Sequence, residues 1–329
     1  FAKKIGFNDF SGGIAASGGT LSNLNALIAA RNNAGLGTNP NSVLLVSEDA
    51  HSSFVKCIRV MGLDTRNLVR IKTDNQGRMD INDLRNSLDK CSIENKKIFA
   101  IVATLGTTVR GAIDPIKEIS EICKQRNIWL HIDGSIGGIF AITSIPIEGL
   151  NNINQANSIT INPQKIIGIT KTSSLLLVSN MSTLENTFNT GLPYISSKEN
   201  IINRGEIGIQ GSRPAEVIKL WLGLRFLGLN GIENILKSSI KRKDFFIKNI
   251  SKNKFDIYSG PLHIVSFLPN KLEPKDSDAW TQTKVNELIN NNFMLSRPKF
   301  KGKYFLRVVM GNYNTKESHI EELLRLLDA

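Results

Sequence analysis

The sequence predicts an α/β protein, with a mainly parallel sheet in a large domain and a small α+β domain at the C-terminal end. Between residues 42 and 178, short apolar runs alternate with segments of helical period, which is typical of parallel strands joined by crossover helices. From Gly231 onward, helices alternate with two strand-like runs, which favours a second and smaller unit. We expect the large domain to span residues 1–229 and the small domain to span residues 230–329.

The predicted strands of the large domain are apolar runs rich in Ile, Val and Leu, as expected for strands buried on both faces. They cover residues 43–46, 68–71, 98–103, 128–132, 158–161 and 174–178. Two of the intervening helices carry start signals. Asp80 is placed to cap a helix over residues 81–90, and Asp114-Pro115 supplies an N-cap and a first-turn proline for residues 116–126.

The remaining elements follow from the same periodicities. A polar stretch over residues 179–211 lacks a clear period and predicts a loop. Helices are predicted over residues 24–31, 215–227, 278–291 and 316–327, and strands over residues 263–268 and 303–309.

The composition is that of an ordinary globular protein, with 41% hydrophobic and 21% charged residues. The longest apolar runs fall far short of the roughly 20 residues that a membrane helix requires, so we expect no membrane association. The three cysteines show no spacing typical of a metal site, which favours reduced thiols in a cytoplasmic protein without a bound metal.

The formal net charge of +12 raises the question of a nucleic-acid partner. Lysine and arginine are spread over the whole chain and do not alternate with aromatic residues in one stripe. The charge therefore favours attraction of an anionic cofactor or substrate over nucleic-acid binding.

Asp133 and Lys165 each follow a predicted buried strand. Because the carboxyl ends of parallel strands meet at one edge of the sheet, we expect both side chains to lie where α/β sheets bind ligands. Pyridoxal-phosphate chemistry needs a lysine for a Schiff base and a carboxylate for the pyridine nitrogen. The pair therefore predicts a pyridoxal 5'-phosphate site.

A glycine turn, Ser17-Gly-Gly-Thr20, leads into the predicted helix over residues 24–31. The N–H groups at a helix N-terminus bind anions such as phosphate, although a plain helix cap explains the turn equally well. His51 and Thr104 each follow a predicted strand, where a histidine can lie over a flat cofactor. A structural histidine and a simple turn remain the alternatives for these two positions.

Six segments, in this order along the chain, resemble the group II pyridoxal-phosphate decarboxylases, a family that includes aromatic amino-acid, glutamate, cysteine-sulfinate and diaminobutyrate decarboxylases. The segments are Gly18-Gly-Thr-Leu-Ser-Asn23, Ala50-His-Ser-Ser53, Ala103-Thr-Leu-Gly-Thr-Thr108, Trp129-Leu-His-Ile-Asp133, Asn162-Pro-Gln-Lys165 and Lys219-Leu-Trp221. The resemblance covers nearly the whole chain. It implies fold type I and a further N-terminal segment upstream of the position matching Phe1.

The resemblance assigns roles position by position. It implies that Lys165 forms the Schiff base with the cofactor, that Asp133 pairs with the protonated pyridine nitrogen and that His51 stacks on the ring. The side chains implied to hold the phosphate are Thr20, Ser22, Asn23 and Asn162.

Four further positions bear on the chemistry. Tyr194 lies in the polar stretch after the lysine, where the family often has the proton donor to the substrate carbon. Gln164 replaces the family's usual histidine and is able to hydrogen-bond phosphate, but it cannot exchange a proton. Ser135 stands where small alanines are typical and places a hydroxyl beneath the ring, and Thr104 is expected to face the cofactor.

The implied reaction is α-decarboxylation of an L-amino acid to a primary amine and carbon dioxide, in a homodimer with active sites at its interface. One fold supports several chemistries, so an aldehyde synthase, an aminotransferase and a carbon–carbon lyase remain alternatives. A chain that binds the cofactor without turnover is a further alternative, since Gln164 and the short N-terminus depart from the family pattern. The sequence does not identify the substrate amino acid.

Overall fold

The computed structural model describes residues 1–171, 173–191 and 203–328. It has the predicted α/β class, with a seven-stranded, mainly parallel sheet and a small three-stranded antiparallel sheet. The strands are β1 (Gly12–Ala16), β2 (Ser42–Ser47), β3 (Leu68–Ile71), β4 (Lys97–Thr104), β5 (Trp129–Gly134), β6 (Ser158–Ile161), β7 (Ser174–Val178), β8 (Phe255–Ser259), β9 (Ile264–Pro269), β10 (Lys299–Phe300), β11 (Lys303–Tyr304) and β12 (Leu306–Val309). The helices are α1 (Gly19–Asn33), α2 (Ser53–Val60), α3 (Ile81–Ile93), α4 (Ile116–Arg126), α5 (Ser182–Phe188), α6 (Val217–Asn249), α7 (Ser277–Asn290) and α8 (Glu317–Asp328).

The large sheet has the strand order β1-β7-β6-β5-β4-β2-β3. Strands β2 to β6 run parallel to their neighbours in this set, whereas β7 is antiparallel to β6 and β1 is antiparallel to β7. The predicted strands of the large domain are confirmed to within two residues at each end. Strand β1 was not predicted, because its Gly-Gly-Ile-Ala-Ala sequence has Ile14 as its single β-branched residue among glycines and alanines, which are depleted in strands.

Alternate side chains of each central strand pack into different halves of the core. On β2, Val43 and Leu45 belong to the apolar cluster on one face, and Leu44 and Val46 belong to the cluster on the other face. All four are completely buried. Burial of such a side chain stabilises the fold by roughly 1.5–3 kcal/mol, which explains why these strands read as continuous apolar runs.

Helix α6 joins the region of the large sheet to that of the small one. The helices predicted on either side of residue 229 are present and meet within α6 at a kink at Gly228, whose φ of 60° and ψ of 177° are not helical. Beyond it, β12, β9 and β8 form the antiparallel sheet, so the small α+β unit has the predicted architecture. The domain boundary between residues 229 and 230 stays a prediction.

The two predicted helix starts have different outcomes. Asp80 caps α3 as predicted, because its carboxylate accepts the N–H of Asp83 at 2.8 Å. The prediction for Asp114 is wrong, since Pro115 occupies the N-cap of α4. The Asp114 carboxylate instead accepts two backbone N–H groups from other segments, those of Met79 and Thr104, both at 2.7 Å.

In the part of the chain that the structure describes, each helix is too short or too polar to cross a membrane.

Candidate active site

A cavity of about 160 Å³ opens at the carboxyl-terminal edge of the parallel strands. The N-terminus of α1, the segments after β2 and β4, the end of β5 and the turn after β6 form its wall. The fold therefore brings together segments that lie far apart in the sequence. The predicted site residues that line the cavity are Thr20, Asn23, His51, Thr104, Asp133, Ser135, Asn162 and Lys165.

Asp133 lies near the end of β5 and is only 5% exposed. Its carboxylate accepts the backbone N–H of Ser135 and the side-chain amide of Asn23, each at 3.1 Å. Burial by itself raises the pKa of Asp133, but the positive charge of Lys165 and the hydrogen bonds from Ser135 outweigh burial and hold the pKa below its ordinary value. Asp133 is therefore a buried carboxylate that keeps its negative charge at neutral pH.

Lys165 is the last residue of a single helical turn, Pro163–Lys165, that follows β6. It is exposed at the rim of the cavity, yet neighbouring protein atoms displace part of the water around its ammonium group. This desolvation lowers the pKa of Lys165, Arg307 lowers it further, and Asp133 opposes both. A lowered pKa increases the share of neutral amine, which is the nucleophilic form of lysine.

His51 follows β2 and precedes α2 in the cavity wall. Its Nδ1 accepts the backbone N–H of Ser53 at 3.1 Å. A nitrogen that accepts this bond carries no proton, so we assign the ring proton of neutral His51 to Nε2. Desolvation lowers the pKa of His51, Lys165 and Lys56 lower it as well, and Asp133 raises it. The imidazole at the wall is therefore mainly neutral.

The start of α1 forms a second, polar corner of the cavity. Gly18, the N-cap, has a φ of 116°, which glycine adopts far more readily than other residues. A Cβ on Gly19 would lie 2.6 Å from the amide nitrogen of Asn162 and 2.8 Å from the hydroxyl of Ser135. The helix start thus approaches both side chains closely, and Gly19 and Thr20 line the cavity. The N–H groups and the positive dipole end of a helix N-terminus suit this corner to binding an anion.

Two of the predicted site residues that the structure describes do not line the cavity, and the position of a third is not among the described residues. Ser22 is completely buried and does not line the cavity. Gln164 is half-buried, and its side-chain oxygen accepts the backbone N–H of Ser173. Tyr194 lies outside the described residues. The predicted roles of these three residues in cofactor binding and proton donation stay predictions.

Arg307 is a candidate site residue that sequence reasoning missed. It lies on β12 of the small sheet, and its guanidinium donates to the backbone oxygen of Thr108, a residue of the cavity wall. Its charge is close enough to lower the pKa of Lys165. The available signal was a single basic residue inside the apolar run Leu306–Val309.

Two hydroxyl groups of the cavity wall are left for a ligand. The side-chain oxygens of Ser53 and Thr104 are buried and have no hydrogen-bond partner in the protein. Such a group costs roughly 1–3 kcal/mol unless a ligand or water satisfies it. Together with Lys165, Asp133 and the anion-binding corner, these hydroxyls fit the aldehyde, the pyridine nitrogen and the phosphate of pyridoxal 5'-phosphate.

A larger cavity, of about 880 Å³, lies between the segment after β4 and the start of the small sheet. Its two buried or half-buried arginines already have acidic partners, since Arg78 pairs with Asp74 at 2.8 Å and Arg110 pairs with Asp49 at 3.5 Å. The smaller cavity is the candidate active site because it joins a lysine, a carboxylate and unsatisfied hydroxyls.

A mainly parallel sheet with a lysine–aspartate pair at its carboxyl edge is the arrangement of a fold-type I pyridoxal-phosphate protein. Comparison with known families identifies the family within this class. Residues 2–267 match the pyridoxal-dependent decarboxylase conserved domain, and the chain belongs to this family.

Two curated relatives have different substrate classes in their names. The chain is 29% identical over 333 residues to an aromatic-L-amino-acid decarboxylase of Bacillus atrophaeus, a match that covers 98% of this chain and 69% of the relative. It is 32% identical over 257 residues to an acidic amino acid decarboxylase of Xenopus tropicalis, which covers 71% of this chain and 50% of the relative. The match to the second relative thus spans half of its length.

Solved structures show the same fold. The crystal structure of Oryza sativa TDC with PLP and tryptamine superposes with a TM-score of 0.91 at 18% identity, over 99% of this chain and 73% of that one. Agreement at this level of identity supports the fold assignment made from the strand order.

Proposed function

We propose that the chain catalyses pyridoxal-phosphate-dependent α-decarboxylation of an L-amino acid, with a primary amine and carbon dioxide as products. The observation that carries this proposal is the ionised, buried Asp133 in one cavity with Lys165, whose pKa is lowered. The decarboxylase names of the two curated relatives support the reaction type.

The cavity wall offers a partner for each part of the cofactor. Lys165 would bind it covalently, Asp133 would pair with its ring nitrogen and His51 would stack on the ring. When bound, the cofactor supplies an electron sink for the carbanion that loss of carbon dioxide leaves behind. The residues that would hold its phosphate and hydroxyl groups are Thr20, Ser53, Thr104, Ser135 and Asn162.

The chain's own residues divide the remaining tasks. Asp133, as a carboxylate, would stabilise a proton on the ring nitrogen of the bound cofactor. Arg307 supplies a cation near Lys165 for the anionic end of an amino acid. Tyr194, from the segment after the lysine, is proposed to return the proton to the substrate carbon.

We propose in addition that the chain acts as a homodimer. The first turns of α6 expose an apolar face in the single chain, with Trp221 59% and Phe226 90% exposed. Phe226 shares one face of the helix with Ile218 and Leu222, which are 55% and 54% exposed and stand at i, i+4, i+8 spacing with it. An exposed apolar surface of this kind favours burial against another protein surface. The cytoplasmic location stays a prediction, which the three unpaired, buried cysteines agree with.

The test compares the visible spectrum of the purified chain with added pyridoxal phosphate, and its release of amine from a panel of amino acids, with those of Lys165→Ala. We expect an absorption band and amine release that are both lost in Lys165→Ala and retained in Lys252→Ala, a change of an exposed lysine in the small unit. Absence of a lysine-dependent band would overturn the cofactor assignment. A band with aldehyde, keto acid or no product would keep the cofactor and replace the reaction.

A further inference from the structure

Four side chains next to Asp133 form a continuous chain of hydrogen bonds, and the one that contacts Asp133, Asn23, also lines the cavity. Asn23 lies 3.1 Å from Asp133 through its amide nitrogen and 3.1 Å from Nε2 of His131 through its oxygen. Nδ1 of His131 lies 2.8 Å from the hydroxyl of Ser158, which also accepts the indole N–H of Trp129 at 2.8 Å. The chain links α1 with β5 and β6.

The direction of each bond follows from the ionised Asp133. A carboxylate can only accept, so the amide N–H of Asn23 donates to Asp133 and the Asn23 oxygen faces Nε2 of His131. That oxygen can only accept, so neutral His131 carries its proton on Nε2, and its Nδ1 accepts from the Ser158 hydroxyl. The oxygen of Ser158 also accepts the indole N–H of Trp129.

The opposite tautomer is incompatible with an ionised Asp133. If Nδ1 of His131 carried the proton, Nε2 would become an acceptor and the Asn23 amide would have to rotate to donate to it. The rotated amide would place its oxygen against the carboxylate of Asp133, two acceptors at about 3 Å with no proton between them. The arrangement thus couples the His131 tautomer, the Asn23 orientation and the charge of Asp133.

His131 stays neutral in this environment. Complete burial lowers the pKa of His131 to about 4, against an opposing effect of Asp133. The other titratable groups that act on Asp133 lie on its cavity side or on α2. Lys165 and His51 face the cavity, while Cys57 on α2 is a buried thiol whose pKa is raised to about 12. Among these titratable groups, Lys165 is the one that carries a positive charge. The four hydrogen-bonded side chains therefore contribute oriented dipoles and no net charge.

We propose that Trp129, Ser158, His131 and Asn23 form a buried hydrogen-bonded relay that positions Asp133 and keeps it ionised beneath the cofactor's ring nitrogen. This inference rests on the proposed function. Asn23 and His131 are positioning residues in this scheme, because they act on the cofactor through Asp133. The assignment also gives Asn23 a task different from the phosphate contact that the sequence predicts.

The relay makes protonation of Asp133 a concerted event. A proton on the oxygen that faces Asn23 would meet the amide N–H, and relieving that contact requires rotation of the amide and a tautomer change in His131. Each of those changes breaks a hydrogen bond between side chains that are almost completely buried. The relay therefore holds the carboxylate in the form that pairs with a cationic ring nitrogen.

The first experiment uses the cofactor-free chain and reads the tautomer directly. Nitrogen-15 NMR of the imidazole side chains should show His131 neutral, protonated on Nε2 and unchanged from pH 6 to pH 8. In Ser158→Ala, which removes the partner of Nδ1, the ring signals of His131 should change. A wild-type His131 protonated on Nδ1, or charged in this range, would overturn the relay.

The second experiment measures cofactor affinity for two probes, pyridoxal phosphate and its analogue with a ring carbon in place of the pyridine nitrogen. We expect Asn23→Leu to weaken binding of pyridoxal phosphate by about tenfold, since hydrogen bonds to charged groups are worth this much. Binding of the analogue should change by less than about twofold, because it offers Asp133 no charge. Thr160→Val is the matched control, since it removes a buried hydroxyl on β6 that has no hydrogen-bond partner, and it should leave both affinities unchanged.

The outcomes separate this inference from the proposed function. Equal weakening for both probes would show that Asn23 contacts the phosphate or supports the fold, and would overturn the relay. Should Asn23→Leu fail to fold, Ser158→Ala takes its place with the same expected selectivity. If the wild-type chain binds neither probe through Lys165, the proposed function fails, whereas the tautomer of His131 still decides whether the relay exists.

Discussion

Asp133 and Asp114 are buried carboxylates on either side of Thr104, yet their charges are controlled in opposite ways. Thr104 pairs with Asp133 across neighbouring strands, and its backbone N–H donates to Asp114. The pKa of Asp133 is held below its ordinary value, whereas burial raises the pKa of Asp114 to about 7. At slightly acidic pH, Asp133 is therefore ionised, whereas Asp114 is mainly protonated.

The difference does not come from the number of hydrogen bonds. Each carboxylate accepts N–H groups from two residues, Asp133 from Asn23 and Ser135 and Asp114 from two backbone groups. Asp133 has the positive charge of Lys165 nearby, whereas Asp114 has the negative charges of other aspartates. In this protein N–H donors alone do not offset the desolvation of a carboxylate, and a nearby cation does.

The largest expected effect is on the charged member of the pair. Asp133→Asn should lower the rate of amine release by about 10² to 10³, because a neutral amide cannot stabilise a cationic ring nitrogen. Steady-state assays of amine release provide the measurement. Asp114→Asn, the same substitution on the other side of Thr104, is the matched control and should retain turnover when the fold is intact. Equal losses of amine release in both variants would contradict a special role for the charge of Asp133.

The next effect is on stability. The unfolded chain ionises Asp114 near its ordinary pKa of 3.8, whereas the folded chain keeps the proton until about pH 7. A raised folded-state pKa means that its contribution to stability is complete below about pH 4 and is lost as the pH rises to about 7. We expect this contribution to appear in denaturant titrations as a decrease in the free energy of unfolding across the window, superposed on an opposing increase from His131 and His263, whose folded-state pKa values are lowered to about 4.

Asp114→Asn should remove most of that decrease. The variant should be less stable than the wild type by about 1–3 kcal/mol near pH 5, because its NH₂ group faces a backbone N–H, and the difference should shrink toward pH 8. Asp49, whose pKa is raised to about 6, contributes a smaller pH dependence to the free energy of unfolding of both proteins. The exposed Asp256→Asn serves as the control, and a slope unchanged in Asp114→Asn would contradict the assignment.

The smallest effect concerns the residue between the two acids. The Thr104 hydroxyl has no partner, while its backbone N–H serves Asp114. Thr104→Val should therefore leave the melting temperature nearly unchanged and weaken pyridoxal-phosphate binding by about three- to tenfold. Calorimetry and a binding titration measure the two quantities. A large loss of stability with unchanged affinity would show that the hydroxyl serves the fold.

The central strands and the position of the lysine–aspartate pair were predictable because both depend on local patterns. Strands β3, β6 and β7 have the predicted bounds. Strands β6 and β7 are short apolar runs that are largely buried, whereas β3 lies at the edge of the sheet and exposes Arg70. Asp133 and Lys165 follow such runs, and parallel connections bring their ends together in one cavity.

Other features depend on contacts between segments that are distant in the sequence. Asn23 appears in the sequence as part of a glycine-turn motif, and its bonds to Asp133 and His131 arise only when α1 packs against β5. Arg307 reaches the cavity from a separate sheet. Asp114 suits a helix cap in the sequence, but two backbone groups outside α4 bind its carboxylate.

Gly18 and Gly19 are adjacent, but glycine is required at the two positions for different reasons. Substitutions at the two positions should therefore respond differently to second-site mutations. At Gly18 a side chain would meet open space, and the positive φ is the obstacle. At Gly19 the backbone is ordinary, and the obstacle is crowding by Asn162 and Ser135. A second-site change that shortens Asn162 or Ser135 is therefore able to suppress a folding defect of Gly19→Ala. A shortened neighbour has no such effect at Gly18, where the defect lies in the backbone itself.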